Sequence, residues 1–423
     1  MTDPAPLAEL AERYGTPLYV YELSELRAAH AALRRALPEE ATLYYSLKAN
    51  PHPELVRELT AAGCAAEVCS ESELDAARAA GLPAAAVLCT GPGKTTAELR
   101  HALQHGVRRF SAESPVDLAR LGAAARAAGT RAQALLRLNP ETYPAGAGLA
   151  MGGAPTQFGS DVSWVRRSPE AFRAEGVDLV GYHVYTGSNV HEPDQLAGWF
   201  AAAADAVTAA QEALRIDLRT VDLGGGFGHP YLAPGHRPDF GALRPVLTHL
   251  FKDRLAPLAE RPLELAFESG RYLAGAAGRF VVRVQDVKVS KGRRIVIADG
   301  GINALGGMAG LRRIPPMTAA AVTLAAGSAE AAGAAGEEAA GEAVLTGPLC
   351  TTLDVLNARL PLPDVRPGDL LTIPNCGAYG MTASLLAFLG RRPPAEVFLD
   401  AGRVRAATAL RLSHHDIHPR RQP

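Results

Sequence analysis

A lysine follows the first strand-like segment of the chain, in a context suited to a reactive amine. Residues 44–51 read YYSLKANP. A β-favouring run followed by a turn-forming Asn-Pro pair places Lys48 where a buried strand opens into a loop. Partial withdrawal from water disfavours a charged amine, so we expect a lowered pKa and an amine able to form a Schiff base. A lone lysine is more often a surface residue that caps a strand, so this interpretation depends on the other strand ends.

A glycine-rich segment lies at the end of a later strand-like run. Residues 222–228 read DLGGGFG. Successive glycines let backbone N–H groups converge on a phosphate, although a glycine run alone is more often only a tight turn. In a parallel barrel, the loop after the seventh strand is a recurrent phosphate site. The segment is therefore a candidate phosphate site.

Two further strand ends carry polar or aromatic groups. Residues 183–188 read HVYTGS and residues 268–271 read ESGR. A local ion pair is the plainer interpretation of Glu268 and Arg271, and His183 alone is usually a hydrogen-bonded structural residue. An aromatic ring at such a position can instead lie flat against a planar cofactor. An amine, a phosphate-binding loop, a flat aromatic ring and a carboxylate together complement pyridoxal phosphate.

The elements that must position these residues alternate along the chain. Apolar β-favouring runs occupy residues 41–47, 65–69, 86–90, 108–111, 133–138, 179–184, 220–223 and 263–267. Helical stretches rich in Ala, Leu, Glu and Arg separate them. Runs that are apolar throughout are typical of parallel strands, and eight strand–helix units over about 230 residues predict a (β/α)8 barrel. A doubly wound open sheet is the alternative. Both place catalytic groups at the carboxyl ends of the strands.

The pattern changes after the eighth run. Further β-favouring runs without long helices between them occupy residues 279–289, 294–298, 343–345, 370–373, 396–399 and 403–407. Alternation of period two in residues 282–289 predicts antiparallel strands with one solvated face. We predict a barrel of residues 23–270 and a β domain of residues 1–22 and 271–423. Residues 318–342 are almost entirely Ala, Gly and Glu and predict a flexible insertion.

Composition excludes several classes of partner. The 423 residues contain 43 Lys and Arg against 44 Asp and Glu, without a long basic run, so neither nucleic acid nor an anionic membrane is expected as a partner. The first fifteen residues lack a leader-like apolar region, which predicts a cytoplasmic protein. The five cysteines form no CxxC pattern, so we expect neither structural disulfides nor a metal site.

The chain resembles the fold-type III pyridoxal-phosphate decarboxylases, such as the diaminopimelate and ornithine decarboxylases, over nearly its whole length. Six motifs in the family's order carry this resemblance: residues 44–51, residues 67–74, Arg137, residues 224–228, residues 268–271, and GPLC at 347–350 with GAYG at 377–380. The resemblance implies an alanine racemase-like fold, in which a TIM-like barrel is joined to a C-terminal antiparallel β domain.

The resemblance also implies roles for particular residues. Lys48 forms the Schiff base with the cofactor, Glu268 pairs with its pyridine nitrogen, and Cys350 is the acid that protonates the product. The residues implied in cofactor binding are Lys48, Arg137, His183, Tyr185, Ser188, Gly225, Gly226, Glu268, Gly270, Arg271 and Tyr379. Racemases of this fold place an arginine at the pyridine nitrogen, so Glu268 favours decarboxylation. In relatives the cysteine loop reaches the partner subunit's active site, which implies a homodimer with shared sites.

Departures from the family pattern bear on the substrate. Diaminopimelate decarboxylases follow the cysteine with a glutamate that binds the distal ammonium, whereas Thr351 and Thr352 follow Cys350 here. Tyr185 replaces the histidine that covers the cofactor ring. These features resemble a natural-product and polysaccharide-pathway branch in which some members act on carrier-bound or derivatised amino acids. Arg312 and Arg313, with Thr351 and Asp354, are the implied substrate-binding residues.

We therefore predict a pyridoxal-phosphate-dependent α-decarboxylase of an amino acid, free or carrier-bound, in a secondary-metabolite pathway. Diaminopimelate decarboxylase of lysine biosynthesis is the main alternative. An amino-acid racemase is opposed by Glu268. A non-catalytic pyridoxal-phosphate-binding protein would lack the β domain and its cysteine loop.

Overall fold

The computed structural model describes residues 4–141, 155–306, 319–324 and 341–416. The chain divides into two compact units. The first comprises Leu23–Tyr231 and Gly235–Ala277, and the second comprises Met1–Glu22, Leu232–Pro234 and Gly278–Pro423. The division differs from the predicted one at two places. The first unit continues past residue 270 through a short helix, and Leu232–Pro234 joins the second unit because Asn375 hydrogen-bonds to the backbone of Leu232 and Ala233.

The helices and strands alternate through the first unit as predicted. The chain begins with helix α1 (Pro4–Tyr14) and strand β1 (Leu18–Glu22), which belong to the second unit. The strands of the first unit are β2 (Thr42–Ser46), β3 (Ala65–Val68), β4 (Val87–Cys89), β5 (Arg109–Ala112), β6 (Ala132–Asn139), β7 (Ser160–Asp161), β8 (Val177–Val184), β9 (Thr220–Asp222) and β10 (Glu264–Ser269). Its helices are α2 (Leu23–Ala36), α3 (Pro53–Ala61), α4 (Glu71–Ala79), α5 (Thr96–Gln104), α6 (Pro115–Ala127), α7 (Val162–Arg167), α8 (Pro193–Leu214), α9 (Leu243–Leu250) and α10 (Arg271–Ala274).

These strands close into a barrel. The order β2-β3-β4-β5-β6-β8-β9-β10 consists of parallel pairs, and β10 pairs with β2 to complete the ring. The two-residue strand β7 lies beside β6. The predicted (β/α)8 barrel is therefore confirmed, and the open-sheet alternative is wrong.

Side-chain caps fix several loops at the carboxyl ends of the strands. Ser70 accepts a hydrogen bond from the backbone of Glu73 at the start of α4, and Ser114 accepts one from Asp117 in α6. Thr95 and Glu98 form a reciprocal capping box at the start of α5. Such caps satisfy the N–H groups that a helix leaves unpaired at its first turn. They hold each short loop between its strand and its helix.

The interior of the barrel is layered. A buried apolar layer contains Tyr44, Leu88, Leu135, Val180 and Ala266. Because side chains alternate along a strand, the residue two positions further along faces the same side. From Tyr44, Leu88, Leu135 and Ala266 that step leads to Ser46, Thr90, Arg137 and Glu268, whereas from Val180 it leads to the buried Tyr182. The barrel therefore changes from apolar to polar towards the carboxyl ends of its strands.

The second unit is a largely antiparallel sheet. Its remaining strands are β11 (Gly278–Ser290), β12 (Arg293–Ala298), β13 (Val322–Leu324), β14 (Glu342–Thr346), β15 (Val355–Pro361), β16 (Leu370–Ile373), β17 (Ala395–Asp400) and β18 (Arg403–Ala409). The order is β15-β14-β12-β11-β1-β17-β18, with β16 paired to β11 and β13. Only the pairs β1–β17 and β12–β14 are parallel among the described strands. The β domain is confirmed, including the predicted assignment of the first strand to it.

The predicted insertion at residues 318–342 is wrong at its start. Strand β13 pairs with β16, and the backbone N–H of Ala319 donates to Leu356. The prediction rested on a shortage of large side chains, but Val322 and Leu324 are sufficient for a short strand paired in the sheet. Residues 325–340 lie outside the described residues.

Helix α1 packs on the β domain. Leu7, Leu10 and Ala11 are buried in one cluster with Leu18 and Val20 of β1. The apolar side chains of α1 are therefore covered by the sheet of the same unit. None of the helices that the structure describes has the length and apolar character needed to cross a membrane.

A buried carboxyl group in the β domain should make folding pH-dependent. Glu396 is 4% exposed and accepts a hydrogen bond from Tyr21 at 3.2 Å. Burial raises its pKa to about 7. The folded chain then binds this proton more tightly than the unfolded chain, so stability is lost as the pH rises from about 4 towards 7.

We expect Glu396→Gln to raise the free energy of unfolding by about 3 kcal/mol at pH 8 and to change it little at pH 4. Thermal unfolding across this pH range measures the difference. Glu342→Gln, at an exposed position of the same domain, is the control and should show no such trend. A pH-independent effect of Glu396→Gln would contradict the assignment.

Candidate active site

Lys48 lies at the carboxyl end of β2, on a 3-10 turn spanning Leu47–Ala49. Its Nζ atom is 3.2 Å from both carboxylate oxygens of Glu67, the third residue of β3. Glu67 is 2% exposed and also accepts a hydrogen bond from Thr90. The side chain of Lys48 remains 39% exposed. The amine is thus held by a buried carboxylate at an open barrel mouth.

The predicted fall in the pKa of Lys48 is wrong. Burial opposes the charge, but the nearby Glu67 and the weaker effects of Cys69, Glu268 and Tyr185 outweigh it and raise the pKa. In turn, although burial opposes ionisation, the Lys48 ammonium and hydrogen bonds from Ser46 and Thr90 lower the pKa of Glu67 to about 2. Burial alone lowers the pKa of a lysine, whereas a carboxylate partner, which the local sequence around Lys48 does not reveal, raises it.

Tyr185, directly after β8, has two cations close to its ring. Lys48 Nζ is 5.5 Å and the Arg137 guanidinium is 5.9 Å from the centre of its ring. Arg137 also makes an ion pair of 3.1 Å with Glu113, and both side chains are buried. The structure therefore brings together Lys48, Arg137 and Tyr185, three of the residues predicted to bind the cofactor.

The glycine-rich loop follows β9 and requires its glycines. A Cβ atom on Gly225 would lie 2.3 Å from the carbonyl oxygen of Glu268. Gly224 and Gly226 have positive φ angles of 67° and 108°, which favour glycine over residues with a side chain. The ring of Tyr185 lies against Gly224 and Gly225. The loop can therefore approach neighbouring strand ends more closely than any other sequence would allow.

The segment that contains Ser188 runs beside this loop. Val190 donates a backbone hydrogen bond to Gly226 at 2.9 Å and accepts one from Gly228 at 2.7 Å. On the other side, Gly270 lets the end of β10 approach the end of β2, since its Cβ would lie 2.7 Å from that of Ala49. Arg271 follows at the start of α10, with its guanidinium 5.0 Å from the ring centre of Tyr231. Ser188, Gly225, Gly226, Gly270 and Arg271 thus all follow the carboxyl ends of barrel strands.

Glu268 and His183 meet inside the barrel. Their Oε1 and Nε2 atoms are 3.4 Å apart, and both side chains are almost fully buried. Nδ1 of His183 lies 2.8 Å from the hydroxyl of Ser111. Burial, with the neighbouring charges of Glu67 and Asp222, raises the pKa of Glu268. Burial, reinforced by Arg137, lowers the pKa of His183, so its imidazole is neutral.

The predicted catalytic cysteine lies in the β domain. Cys350 is exposed on the loop between β14 and β15, followed by Thr351. Asp354, predicted to bind substrate, is 2% exposed, and its carboxylate accepts backbone hydrogen bonds from Ile302 and Leu349. Asp354 therefore anchors the cysteine loop, and its oxygens are occupied by the backbone.

Three other predicted site residues lie in the β domain or outside the described residues. Tyr379 lies in the β domain with a φ of 53°. Arg312 and Arg313 fall outside the described residues, so their predicted role in substrate binding stays a prediction.

Sequence reasoning gave no role to several residues of the polar layer. Glu67 and Asp222 are carboxylates within short, otherwise mostly apolar strands, and both are buried. A carboxylate in a parallel strand is rarely buried without a partner. That pattern was the available signal, and it pointed to the polar layer that also contains Glu268.

The pair between Lys48 and Glu67 predicts how reactivity of the amine responds to mutation. In the cofactor-free protein, Glu67→Gln removes the charge that raises the pKa of Lys48, so the free amine should appear at lower pH. Modification by an amine-specific reagent across a pH series, with peptide mapping, should show a lower midpoint for Lys48. Glu71→Gln, at an exposed position in α4, should leave the midpoint in place. An unchanged midpoint in Glu67→Gln would contradict the pairing.

Comparison with known proteins covers nearly the whole chain. Residues 23–275 match the family described as pyridoxal-dependent decarboxylase, pyridoxal binding domain. The chain is 32% identical over 401 residues to the decarboxylase of L-glutamyl-BtrI acyl-carrier protein from Niallia circulans. The aligned region covers 93% of this chain and 91% of that protein. It is 33% identical over 400 residues to a diaminopimelate decarboxylase from Actinosynnema pretiosum subsp. auranticum. Here the aligned region covers 92% of this chain and 85% of that protein.

Solved structures agree with the fold. Diaminopimelate decarboxylase from M. jannaschii, in a complex with L-lysine, superposes with a TM-score of 0.77 at 25% identity and covers 94% of this chain and 90% of that one. The region matched by the family, residues 23–275, contains every barrel strand and the segments of Lys48, the glycine loop and Glu268 described above. The chain therefore belongs to the pyridoxal-dependent decarboxylases, and its cofactor is pyridoxal phosphate.

Proposed function

We propose that this enzyme removes the α-carboxyl group of an amino acid attached to an acyl-carrier protein. The observation that carries the proposal is the Cys350-Thr351-Thr352 segment. It lacks the carboxylate by which a distal ammonium would be bound. The similarity to a decarboxylase of a glutamyl carrier protein supports the proposal.

The chemistry of carrier attachment narrows the substrate. A carrier protein holds its cargo through an acyl group, whereas α-decarboxylation requires a free α-carboxylate. The cargo must therefore be joined through a second carboxyl group, in its side chain. An acidic amino acid such as glutamate meets this condition, and its bound distal group is a neutral acyl linkage. A neutral loop at Thr351 suits that group.

The barrel residues fit the cofactor. Glu268 Oε1 is buried and makes no hydrogen bond within the described parts of the chain, so it is available to a pyridine nitrogen. The glycine loop at Gly224–Gly228 and the neighbouring segment at Ser188 suit a phosphate, and Tyr185 presents an aromatic ring close to Lys48 and Arg137. Lys48 would hold the aldehyde group, with Arg137, His183, Gly270, Arg271 and Tyr379 as further cofactor residues.

The residues then divide the work. When bound, pyridoxal phosphate supplies an electron sink for the bond between Cα and the departing carboxyl group. Glu67 orients Lys48 and balances its charge. Glu268 provides the negative charge that keeps a pyridine nitrogen protonated. As the bond to the carboxyl carbon breaks and carbon dioxide leaves, Cys350 donates the proton that takes its place on Cα.

We propose further that the enzyme is a homodimer in which the Cys350 loop of each chain serves the barrel of the other. The support is the family resemblance, together with the exposure of Cys350 on its loop. A diaminopimelate decarboxylase is the second candidate function, because such enzymes are comparably similar over most of the chain. The two candidates differ at the distal end of the substrate.

Substrate choice tests the proposal directly. We expect decarboxylation of a side-chain-linked glutamyl carrier protein and little or no turnover of free meso-diaminopimelate, since an unpaired distal ammonium costs about 2–5 kcal/mol of binding. Mass spectrometry of the products measures both reactions, and Lys48→Ala is the inactive control. Turnover of free meso-diaminopimelate that equals the best carrier-bound substrate would favour the second candidate.

Complementation tests the shared site. Lys48→Ala and Cys350→Ala should each be nearly inactive, because one lacks the cofactor-binding amine and the other the proton donor. Co-expressed chains should regain roughly a quarter of the parental activity when half of the dimers are mixed and each holds one intact site. Mixtures of Lys48→Ala with Lys48→Met provide the control and should stay inactive. Differentially tagged heterodimers without activity would mean that Cys350 does not act in the partner subunit.

A further inference from the structure

A second carboxyl group lies beside Glu268 inside the barrel. Asp222, the last residue of β9, is 0% exposed. Its Oδ1 atom accepts a hydrogen bond of 2.8 Å from the backbone N–H of Gly224. Its Oδ2 atom makes no hydrogen bond to any residue that the structure describes. One oxygen of Asp222 thus fixes the glycine loop, while the other faces the interior of the barrel.

Asp222 belongs to a cluster of three buried polar side chains. His183, Asp222 and Glu268 each offer one atom, and these atoms all lie within 4.8 Å of one another. His183 Nε2 and Glu268 Oε1, like Asp222 Oδ2, lack a hydrogen-bond partner among the described residues. Three buried polar atoms without partners lower the stability of the fold unless a proton or an ion joins them.

Within the described parts of the chain, each cation that acts on this cluster is already paired with another carboxylate. Of the charged groups that act on it, Lys48 pairs with Glu67, Arg137 with Glu113, Lys94 with Asp117 and Arg109 with Glu264. Of those carboxylates, Glu67 raises the pKa of both Asp222 and Glu268, and Glu264 raises that of Asp222. Two adjacent buried carboxylates cannot both remain ionised under these conditions. The cluster therefore holds at least one proton.

We propose that Asp222 is a positioning residue that keeps this proton and donates it in a hydrogen bond to the Glu268 and His183 atoms. Glu268 then carries the only negative charge of the cluster and directs it towards the pyridine nitrogen. Burial raises the pKa of both Asp222 and Glu268, in agreement with one proton held by the pair, and a protonated pyridine nitrogen beside Glu268 would leave that proton on Asp222. The role of Asp222 rests on the proposed function only through Glu268, since the shared proton is a property of the protein itself.

Infrared spectroscopy tests the proton without measuring catalysis. In holoenzyme labelled with carbon-13 at the side-chain carboxyl of aspartate, we expect a protonated-acid carbonyl band at neutral pH that shifts with the label. The band should be absent from Asp222→Asn, and also from Asp222→Glu, because position 222 then carries no labelled aspartate. Asp117→Asn, which removes a buried carboxylate paired with Lys94 at 2.8 Å, is the control and should keep the band.

Either variant, Asp222→Asn or Asp222→Glu, is sufficient to test the band if the other does not fold. Absence of the band from the wild type, or its persistence when Asp222 is replaced, would overturn the proposal. A stoichiometric divalent metal in the purified protein that is lost with Asp222→Asn would also overturn it, because an ion rather than a proton would then join the three atoms.

A second readout separates positioning from mere packing. We expect Asp222→Ala to reduce kcat by about tenfold or more and to shift the pH midpoint of the cofactor absorption band. Asp222→Asn should instead keep most of the wild-type kcat and lie close to the wild-type midpoint. Asn keeps the acceptor for Gly224 and the donor towards Glu268, so recovery is specific to the protonated form. If the enzyme proves inactive on every carrier substrate, the infrared and absorption results still decide the role of Asp222. Equal loss in the Ala and Asn variants would mean that an ionised carboxylate is needed.

Discussion

The structure depends on how a closed parallel barrel accommodates charge at one end of its interior. The middle of the barrel is an apolar layer, and the layer above it contains Glu67, Asp222 and Glu268, all at most 2% exposed. Isolated charges at such positions cost several kcal/mol each. Each carboxyl group must therefore be paired with a cation, hydrogen-bonded by the backbone, or protonated. The three groups meet this requirement in different ways, and the difference gives each a separate function.

Glu67 is stabilised by Lys48, and this pair alters the usual account of a reactive lysine. Desolvation alone would release the free amine near neutral pH, but the structure holds the amine charged through Glu67. The charge keeps Lys48 ordered above the barrel, beside Tyr185. The order is useful because a flexible lysine on an exposed turn would lose more entropy on forming a covalent bond to a cofactor.

The sequence was informative where local pattern and global fold agree. The eight apolar runs predicted the barrel, because parallel strands buried on both faces must be apolar throughout. Strand β13 was missed because its three residues gain their stability from pairing with β16, which local composition cannot reveal. The raised pKa of Lys48 and the cluster around Asp222 were missed for the same reason. Both depend on side chains that come from strands far apart in the sequence, such as β3 and β9.

The two units divide the proposed roles: the barrel carries the amine and the carboxyl groups that act on the cofactor, whereas the β domain carries both the proposed proton donor, Cys350, and the proposed specificity. Lys48, Glu67, Asp222 and Glu268 all lie in the barrel unit, and none of them needs to contact the distal end of a substrate. The departure from diaminopimelate decarboxylases at Thr351 lies in the β domain, on a loop that Asp354 anchors through Ile302 and Leu349. Because a buried Asp354 holds the loop backbone, the exposed residues beside Cys350 can change without loss of the anchor. A family with this arrangement can retain one decarboxylating barrel and exchange a free amino acid for a carrier-bound one by substitutions in a single loop.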